Sequence, residues 1–570
     1  MDILNIHLRA TGVADARAAP PRRRAFSVSM TSGQLVVAAS LFWALAFNGA
    51  FFSLVTNGRQ AGDASAWGLV LALAGALVAV NVLLGGLLAN RYTVKPLLAL
   101  LTVAAAAGSW FIGAYGVVLD PSMLRNALRT DVAEAGELMN VRFLLHMALF
   151  ALLPALLMWR VRVARQPWRR AVARRIALLL GALLVLVGLI WSVFQPLSSL
   201  TRNHRDLRYM VTPANLMWST GSVLVADARG AARPREPIGL DAQAGPSWAA
   251  RTRPMVVVVV VGETARAANW GLNGYSRQTT PELAQAGVVN FADVTSCGTN
   301  TETSLPCMFA PVGRRSYDET RIRGQQSLLH VLARAGVSTD WRDNQSGCKG
   351  VCEGLPMQVI DTKAAPGRCD GDHCFDEVLT QDLALRLKQA KGTQLWVLHT
   401  LGNHGPSYFR RYPPAFARFQ PECRNDDLRQ CTQEQVVNAY DNALLYTDHV
   451  LANAIRTLQT AVADVDTALV YVSDHGESLG ERGLFLHGLP YALAPDVQKR
   501  VPMVWWNSAG FERASGLSSG CLMASMAAQA RQPVAHDHLF HTLLGALDVR
   551  TALHEPSLDL TQPCRAAKAL

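Results

Sequence analysis

The chain has 570 residues, which is more than one ordinary domain needs, and half of them are hydrophobic. Only 17% are charged, below the quarter that is usual in soluble domains, so the composition indicates a membrane protein rather than a wholly soluble one. Much of the net charge of +11 comes from one arginine-rich loop between two apolar stretches, so the charge requires no nucleic-acid partner.

A basic tail of residues 1–33 precedes a predicted membrane domain, residues 34–200. Five apolar stretches in this domain each have about the length that a helix needs to cross roughly 30 Å of hydrocarbon. They are residues 35–55, 67–88, 96–118, 143–159 and 176–194. The alternative is a large buried helical core, which we disfavour because the stretches have no polar face.

The distribution of basic residues predicts the orientation of these spans. Arg22, Arg23 and Arg24 precede the first span, and Arg91 and Lys95 lie between the second and third. The loop between the fourth and fifth contains Arg160, Arg162, Arg165, Arg169, Arg170, Arg174 and Arg175. Because positive loops stay in the cytoplasm, the chain after residue 194 is expected outside the membrane. The first span has a remote basic flank, which favours an uncleaved anchor over a signal peptide.

Residues 120–141 form the longest external connection between spans, and we predict a helix there. Asn126, Thr130 and Glu134 recur at steps of four, which places them on one face of such a helix. Beside a bilayer this face could contact lipid headgroups, although a solvated loop helix has the same spacing.

A linker over residues 201–254 leads to a predicted catalytic domain, residues 255–570. Apolar strands alternate there with helical patterns, which predicts an α/β domain with a mainly parallel central sheet and helices on both faces. The predicted strands are 255–261, 395–399, 467–472 and 502–506, and the helices include 327–335, 435–458 and 538–547.

Two of the predicted strands end in acidic residues. Glu263 follows the first of them, and Asp474 and His475 follow the strand 467–472. Ligands of α/β enzymes bind at such strand ends, and carboxylate and imidazole donors suit Zn²⁺. The alternatives are a plain turn at Asp474–His475 and a helix cap at Glu263.

Residues 294–309 are rich in hydroxyl groups, among them Thr299, Thr301, Thr303 and Ser304. A hydroxyl becomes a useful nucleophile when a metal or a base lowers its pKa. A threonine at the start of a helix would also face the end of the helix dipole that favours phosphate. Turn and capping chemistry is the alternative role for such a segment.

All ten cysteines follow residue 296, which favours a disulfide framework in an oxidising compartment over structural zinc. Spacing does not determine their connectivity. The simplest pairing joins neighbours along the chain: Cys297 with Cys307, Cys348 with Cys352, Cys369 with Cys374, Cys423 with Cys431, and Cys521 with Cys564.

The chain resembles the lipid A phosphoethanolamine transferases, a family that includes the mobile colistin-resistance enzymes and has an alkaline phosphatase/sulfatase-like catalytic domain. The resemblance covers nearly the whole length. It rests on VGETAR at 261–266, the segment 297–309, WRDNQSGCKG at 341–350, HTLGNHGP at 399–406, and SDHGESLGE at 473–481 running on to LHG at 486–488.

The resemblance implies a role for each matching residue. Thr301 corresponds to the nucleophile, and Glu263, Asp474 and His475 complete a zinc site with it. His404 and His487 are expected near the phosphate, where some members hold a second, weaker zinc. The remaining matches are Lys349 at the substrate and Asn126, Thr130 and Glu134 at the lipid headgroup.

Other interpretations of single residues remain open. His404 lies in a sequence typical of a tight turn, His487 precedes a glycine as a helix-end residue does, and Lys349 could be an ordinary surface lysine. His536, His538 and His541 begin an amphipathic helix, where a structural or solvated role is expected.

The implied reaction moves phosphoethanolamine from phosphatidylethanolamine to a lipid A phosphate through a covalent intermediate on a threonine and releases diacylglycerol. We expect a monomer in the bacterial inner membrane with its catalytic domain in the periplasm and membrane lipids as partners. The alternatives are another acceptor (a core sugar, a glucan or a surface protein), a phosphoglycerol transferase, and an inactive membrane sensor.

Overall fold

The computed structural model describes residues 28–56, 64–130, 132–203, 207–231, 234–362, 367–369 and 373–565. Most of the predicted basic tail, with Arg22, Arg23 and Arg24, lies outside the described residues. The chain divides into two compact units. We call them the helical unit, Met1–Ala114 with Val141–Ser219, and the α/β unit, Tyr115–Asn140 with Thr220–Leu570.

The first part of the chain is helical. Its helices are α1 (Ser32–Ala46), α2 (Gly49–Thr56), α3 (Ala64–Leu88), α4 (Val94–Tyr115), α5 (Pro121–Arg129), α6 (Val132–Glu137), α7 (Val141–Met147), α8 (Leu153–Arg160), α9 (Trp168–Ser192), α10 (Phe194–Asn203) and α11 (Ala214–Ala231). A π-helical turn, Ala148–Leu152, joins α7 to α8. Two short strands, β1 (Ser29–Met30) and β2 (Arg162–Val163), pair in parallel.

Several helices of the described residues are long and apolar enough to cross a membrane. They are Trp67–Leu88, Val94–Tyr115, Val141–Arg160 and Trp168–Ser192. Helices α1 and α2 pass the same test only together, with a bend of 55° between them. At this break the Asn48 side chain donates to the Trp43 backbone carbonyl at 2.9 Å, so a side chain inserts into the hydrogen bonding of the helix. Among the described residues the candidate spans therefore number four, or five if the bent pair is one span.

An eight-stranded sheet forms the centre of the α/β unit. The strands of this unit are β3 (Gln243–Ala244), β4 (Met255–Gly262), β5 (Val289–Thr295), β6 (Ser338–Asp343), β7 (Met357–Val359), β8 (Thr393–His399), β9 (Asp466–Ser473), β10 (Ser478–Leu479), β11 (Phe485–Leu486), β12 (Arg500–Asn507), β13 (Val534–Ala535) and β14 (Val549–Arg550). The order in the central sheet is β13-β5-β12-β9-β4-β8-β6-β7. Only β12 runs antiparallel to its neighbours in this sheet. The predicted mainly parallel sheet is therefore confirmed.

Strand β4 shows why this sheet is buried on both faces. Its side chains alternate between two hydrophobic cores, with Val257 and Val259 in one and Val256 and Val258 in the other. Successive side chains of a strand point to opposite faces, so a run of β-branched valines fits a strand that is covered on both sides.

Helices cover both faces, as predicted. Helices α14 and α20 pack on the face of Val257, whereas α15 and α16 pack on the face of Val256. The helices of this region are α12 (Thr301–Met308), α13 (Glu319–Gly324), α14 (Leu328–Arg334), α15 (Leu383–Gln389), α16 (Gln433–Thr460), α17 (Asp496–Lys499), α18 (Ala509–Ala514), α19 (Leu522–Gln529) and α20 (Asp537–Leu547).

Two predicted boundaries differ from the structure. Residues 120–141 hold two short helices, α5 and α6, rather than one, because Thr130 is extended and its hydroxyl donates to the Asn126 carbonyl at 2.9 Å. The extended backbone of Thr130 ends α5, and the hydroxyl bond competes with the helical backbone bond to the same carbonyl. The predicted linker 201–254 contains α11, an 18-residue helix.

Five disulfides cross-link the α/β unit. They join the neighbours in sequence that the simplest pairing names: Cys297–Cys307, Cys348–Cys352, Cys369–Cys374, Cys423–Cys431 and Cys521–Cys564. Four of these loops are short, and only Cys521–Cys564 spans 43 residues.

Candidate active site

The register of the central sheet brings two acidic residues together. Gly262 of β4 lies beside Ser473 of β9, so the next residues, Glu263 and Asp474, leave the same edge of the sheet side by side. Both carboxylates and the following imidazole of His475 are fully buried. The predicted convergence of the two strand ends therefore follows directly from parallel pairing.

Thr301 is the first residue of α12 and reaches this edge from a third part of the chain. Asn300 caps the helix by accepting a hydrogen bond from the Thr303 N–H at 2.9 Å. The Cys297–Cys307 disulfide ties the preceding loop to the last turn of α12. The Thr301 hydroxyl thus lies at the positive end of a helix dipole. The residue as a whole is only 4% exposed.

Four potential metal donors converge here. The Thr301 hydroxyl lies 3.0 Å from Glu263 Oε2 and 3.3 Å from His475 Nε2. His475 Nε2 is also 3.2 Å from Glu263 Oε1 and 3.4 Å from Asp474 Oδ2. One ligand atom from each of Glu263, Asp474 and His475 lies within 4.8 Å of the others.

Neighbouring backbone groups orient these donors inward. His475 Nδ1 lies 3.0 Å from the Gly476 carbonyl, which directs the hydrogen on Nδ1 to that oxygen and turns Nε2 toward the carboxylates. Asp474 Oδ1 accepts from the Thr264 and His475 N–H groups at 3.2 and 2.7 Å. Asp474 Oδ2 is buried and has no hydrogen-bond partner among the described residues.

The charges of the cluster are strongly coupled. Burial, reinforced by the Glu263 carboxylate, raises the pKa of Asp474 to about 7. Burial opposes a charged imidazole, but Asp474 and Glu263 outweigh it and raise the pKa of His475 to about 10. Burial alone would raise the pKa of Glu263, yet His475 holds it well below its usual range. Two buried carboxylates at this distance require a positive charge between them.

The donor set fits a divalent cation. Two carboxylates, an imidazole and a hydroxyl match the nitrogen and oxygen ligands that Zn²⁺ accepts, and Asp474 Oδ2 provides a coordinating atom without a hydrogen-bond partner among the described residues.

A second polar cluster adjoins the first. The rings of His475 and His487 have centroids 4.3 Å apart, and those of His487 and His404 lie 5.5 Å apart. His487 Nδ1 is 3.4 Å from Oε1 of Glu477, a carboxylate that the sequence analysis did not single out. Burial raises the pKa of Glu477 to about 8 and, with the charge of His475, lowers that of His487 well below its ordinary value. The two predicted histidines do lie beside the cluster of Thr301.

The remaining predicted site residues differ in placement. Glu134 is buried, its Oε2 lies 4.0 Å from His404 Nε2, and its Oε1 accepts from Gln345 at 3.2 Å. Asn126 and Thr130 contact each other through the bond that ends α5. Lys349 has a positive φ of 48°, and both of its hydrogen bonds go to Ser346. Their predicted roles toward substrate stay predictions.

Comparison with known proteins agrees with this site. A family model described as Sulfatase matches residues 255–549, and one described as Phosphoethanolamine transferase EptA/EptB matches residues 77–228. The chain is 40% identical over 474 residues to the phosphoethanolamine transferase EptA of Escherichia coli strain K12, covering 83% of this chain and 86% of that protein. The chain belongs to the phosphoethanolamine transferase family.

Other members of the phosphoethanolamine transferase family are similar over nearly the full length. The phosphatidylethanolamine transferase Mcr-1 of Escherichia coli is 38% identical over 526 residues, which cover 90% of this chain and 94% of that protein. The solved integral membrane lipooligosaccharide phosphoethanolamine transferase A (EptA) from Neisseria meningitidis superposes with a TM-score of 0.88 at 35% identity, covering 95% of this chain and all of that one. The predicted family is confirmed.

Proposed function

We propose that this protein transfers phosphoethanolamine from phosphatidylethanolamine to a phosphate of lipid A, with Thr301 as the nucleophile and zinc as the metal. The convergence of Glu263, Asp474 and His475 on the Thr301 hydroxyl carries the proposal. The relatives named above as phosphoethanolamine and phosphatidylethanolamine transferases support the donor class.

In the first half-reaction the Thr301 oxygen attacks the phosphorus of phosphatidylethanolamine. The bond between phosphorus and the diacylglycerol oxygen breaks, and a phosphoethanolamine ester of Thr301 forms. Zinc bound by Glu263, Thr301, Asp474 and His475 would lower the pKa of the hydroxyl and neutralise charge on the phosphate. The N-terminal end of α12 adds backbone N–H groups on the same side.

In the second half-reaction an oxygen of a lipid A phosphate attacks the same phosphorus, and the Thr301 oxygen leaves. Each half-reaction returns one proton to a leaving oxygen and takes one from a nucleophile. We assign this transfer to His404 and His487, whose rings lie beside the cluster. A low pKa keeps His487 neutral, which is the form that accepts a proton.

The apolar helices and the family support a membrane protein, which would meet both lipids in the bilayer. The similar protein from Neisseria meningitidis is named an integral membrane protein, which supports location in the inner membrane with the α/β unit in the periplasm. A catalytic unit tethered to the membrane meets its lipid substrates at a high effective concentration.

Substitution of Thr301 by alanine tests this function. Thr301→Ala should leave a folded protein that forms no covalent phosphoethanolamine adduct and turns over a fluorescent phosphatidylethanolamine at least about 1000-fold more slowly. Intact-mass spectrometry after incubation with donor lipid measures the adduct. Thr303→Ala, two residues further along α12, is the matched control and should keep the adduct.

The acceptor is tested separately. Mass spectrometry of lipid A from cells with and without the protein should show phosphoethanolamine only where active protein is present. Turnover of the donor with unmodified lipid A would contradict this acceptor and favour a core sugar, a glucan or a surface protein. Full turnover by Thr301→Ala would remove Thr301 from its role.

A further inference from the structure

Glu137, the last residue of α6, makes a buried ion pair that the sequence motifs do not include. Its Oε2 accepts from the Arg411 guanidinium at 2.6 Å, and its Oε1 lies 3.1 Å from His373 Nε2. Glu137 is 5% exposed and Arg411 is 3% exposed. The two charges are therefore almost fully removed from water, where an ion pair persists only if both partners are held in place.

The same guanidinium holds the backbone of His404. Arg411 Nε donates to the His404 carbonyl at 2.7 Å, while Nη2 donates to Glu137. The planar fork of an arginine fixes the relative position of two acceptors, which a single ammonium does not. Arg411 thus connects α6 rigidly to the loop that presents His404.

Helix α6 also contacts the ring of His404. Glu134 lies one turn before Glu137, and its Oε2 is 4.0 Å from His404 Nε2. One acidic residue of α6 thus faces the His404 imidazole across 4.0 Å, and the other reaches the His404 carbonyl through Arg411. Residues three apart share one face of a helix, so a single short helix is sufficient for both contacts.

The charge on Glu137 is stable in this setting. Burial would raise the pKa of Glu137, but the Arg411 guanidinium and His373 outweigh it and lower the pKa to about 2. The carboxylate is therefore ionised throughout the physiological range and keeps its bond to Arg411.

The segment that carries α6 is also anchored at the residue that follows the nucleophile. Arg129, the last residue of α5, lies 2.5 Å from Glu302 Oε1, and Arg323 lies 2.9 Å from the same oxygen. Glu302 directly follows Thr301 and is fully buried. Helices α5 and α6 therefore contact both the nucleophile helix and the His404 loop.

We propose that Glu137 and Arg411 are positioning residues that fix His404 for the transfer reaction, so that α6 is a structural part of the active site and not only a place where lipid headgroups dock. The proposal rests on the function proposed above, because His404 is assigned its proton-transfer role there.

The variant Glu137→Gln tests this proposal in the full-length protein. It keeps the size of the side chain but removes the charge that holds Arg411. We expect kcat for a fluorescent phosphatidylethanolamine to fall by about tenfold or more while KM changes by less than about twofold. The reason is that the position of His404 affects the chemical step, whereas KM changes when substrate binding changes. A crystal structure of the variant should show a displaced His404 side chain.

Asp466→Asn is the matched control. It also removes a buried carboxylate from an arginine, because Asp466 pairs with Arg253 at 2.5 Å, but it lies at the start of β9, the end of the strand opposite to the active site. This variant should lower the melting temperature and leave kcat per folded molecule unchanged.

Arg411→Lys distinguishes the effect of the positive charge from that of the two simultaneous hydrogen bonds to Glu137 and His404. It keeps a cation beside Glu137 but loses the fork that bonds Glu137 and His404 together, so it should lose kcat as Glu137→Gln does. A rise in KM alone in either variant would assign the pair to lipid binding and overturn the proposal. A wild-type kcat in Arg411→Lys, or an unmoved His404 in the Glu137→Gln structure, would also overturn it. Absence of turnover by the wild-type protein would contradict the proposed function. The positioning of His404 is tested separately, because the crystal structure of Glu137→Gln measures it without any reaction.

Discussion

Two groups of histidines in the α/β unit have opposite surroundings. Around the active site, His475 Nε2 faces two carboxylates, and His404 Nδ1 has no hydrogen-bond partner in the described part of the chain. At the start of α20, His536 accepts from the Cys297 N–H at 3.1 Å and lies 2.9 Å from the Ser473 carbonyl. His541 accepts from Glu555 N–H at 3.0 Å and lies 3.3 Å from the Pro311 carbonyl.

The difference distinguishes histidines that can bind a metal or substrate from histidines that stabilise the fold. A buried histidine whose two nitrogens both have backbone partners is complete without a ligand and stabilises the fold. A buried histidine among carboxylates with unused oxygen atoms is complete only when another charge or a substrate is bound. The side chain is the same in both groups, and the distinction lies in its neighbours.

Substitutions in the two groups should have opposite effects, and Asp474→Asn, beside His475, is expected to have the largest. Asparagine Oδ1 can keep both backbone hydrogen bonds, while the unused oxygen becomes an amide. We expect loss of stoichiometric zinc, measured by metal analysis, and a fall in turnover of about 1000-fold. The metal-free variant should melt no lower than the metal-free wild type, because the repulsion with Glu263 is gone.

A matched control for Asp474→Asn is His541→Gln, in the group that stabilises the fold. It should keep zinc and turnover per folded molecule, but melt at a lower temperature because it disturbs satisfied buried bonds. Zinc retained at wild-type level in Asp474→Asn would contradict the metal site, and equal losses of activity in both variants would abolish the distinction between the groups.

Two disulfides allow the α20 region and the Thr301 region to be compared by their contributions to stability and to activity. Cys521–Cys564 closes 43 residues near α20, and Cys297–Cys307 closes ten residues around Thr301. Loss of chain entropy predicts contributions of about 4 and about 3 kcal/mol to the free energy of unfolding, respectively. Replacing the first pair by serines should therefore reduce stability more, whereas replacing the second should reduce kcat.

Denaturant unfolding and turnover of the two serine pairs, measured in parallel, check this prediction. If the serine pair at 297 and 307 kept full kcat, then the disulfide would not be needed to hold the Thr301 loop. The caps and hydrogen bonds of α12 would then be sufficient by themselves.

The smallest expected effect is on the pH dependence of stability. Burial lowers the pKa of His541 to about 4, below its ordinary value of 6.5. The unfolded chain then binds more protons between these values, so the free energy of unfolding should fall as the pH drops from about 6.5 to about 4, by on the order of 2 kcal/mol. His541→Gln removes this group, and its stability should fall less over that window. Equal slopes for the two proteins would contradict the assignment.

Local patterns were sufficient to predict much of this architecture. Apolar runs without a polar face predict membrane helices, and valine-rich runs predict β4 and β9. The residues after these strands, Glu263 and Asp474, then meet because parallel neighbours end at one edge. Strands β5, β6, β7 and β13 were not predicted, although the apolar residues Val289 and Phe291, two positions apart at the start of β5, are a period-two signal.

Sequence by itself determined which residues are available for metal and phosphate chemistry, because those residues sit in short motifs at strand and helix ends. Only the tertiary structure decided that Glu137 meets Arg411 and that Arg129 meets Glu302, since these partners are 274 and 173 positions apart. It also decided that Thr130 divides the predicted helix of residues 120–141 in two. Charge pairs between distant segments leave no periodic pattern in the sequence. The fold determines which charges are buried together, and a charge buried without a partner would be strongly unfavourable.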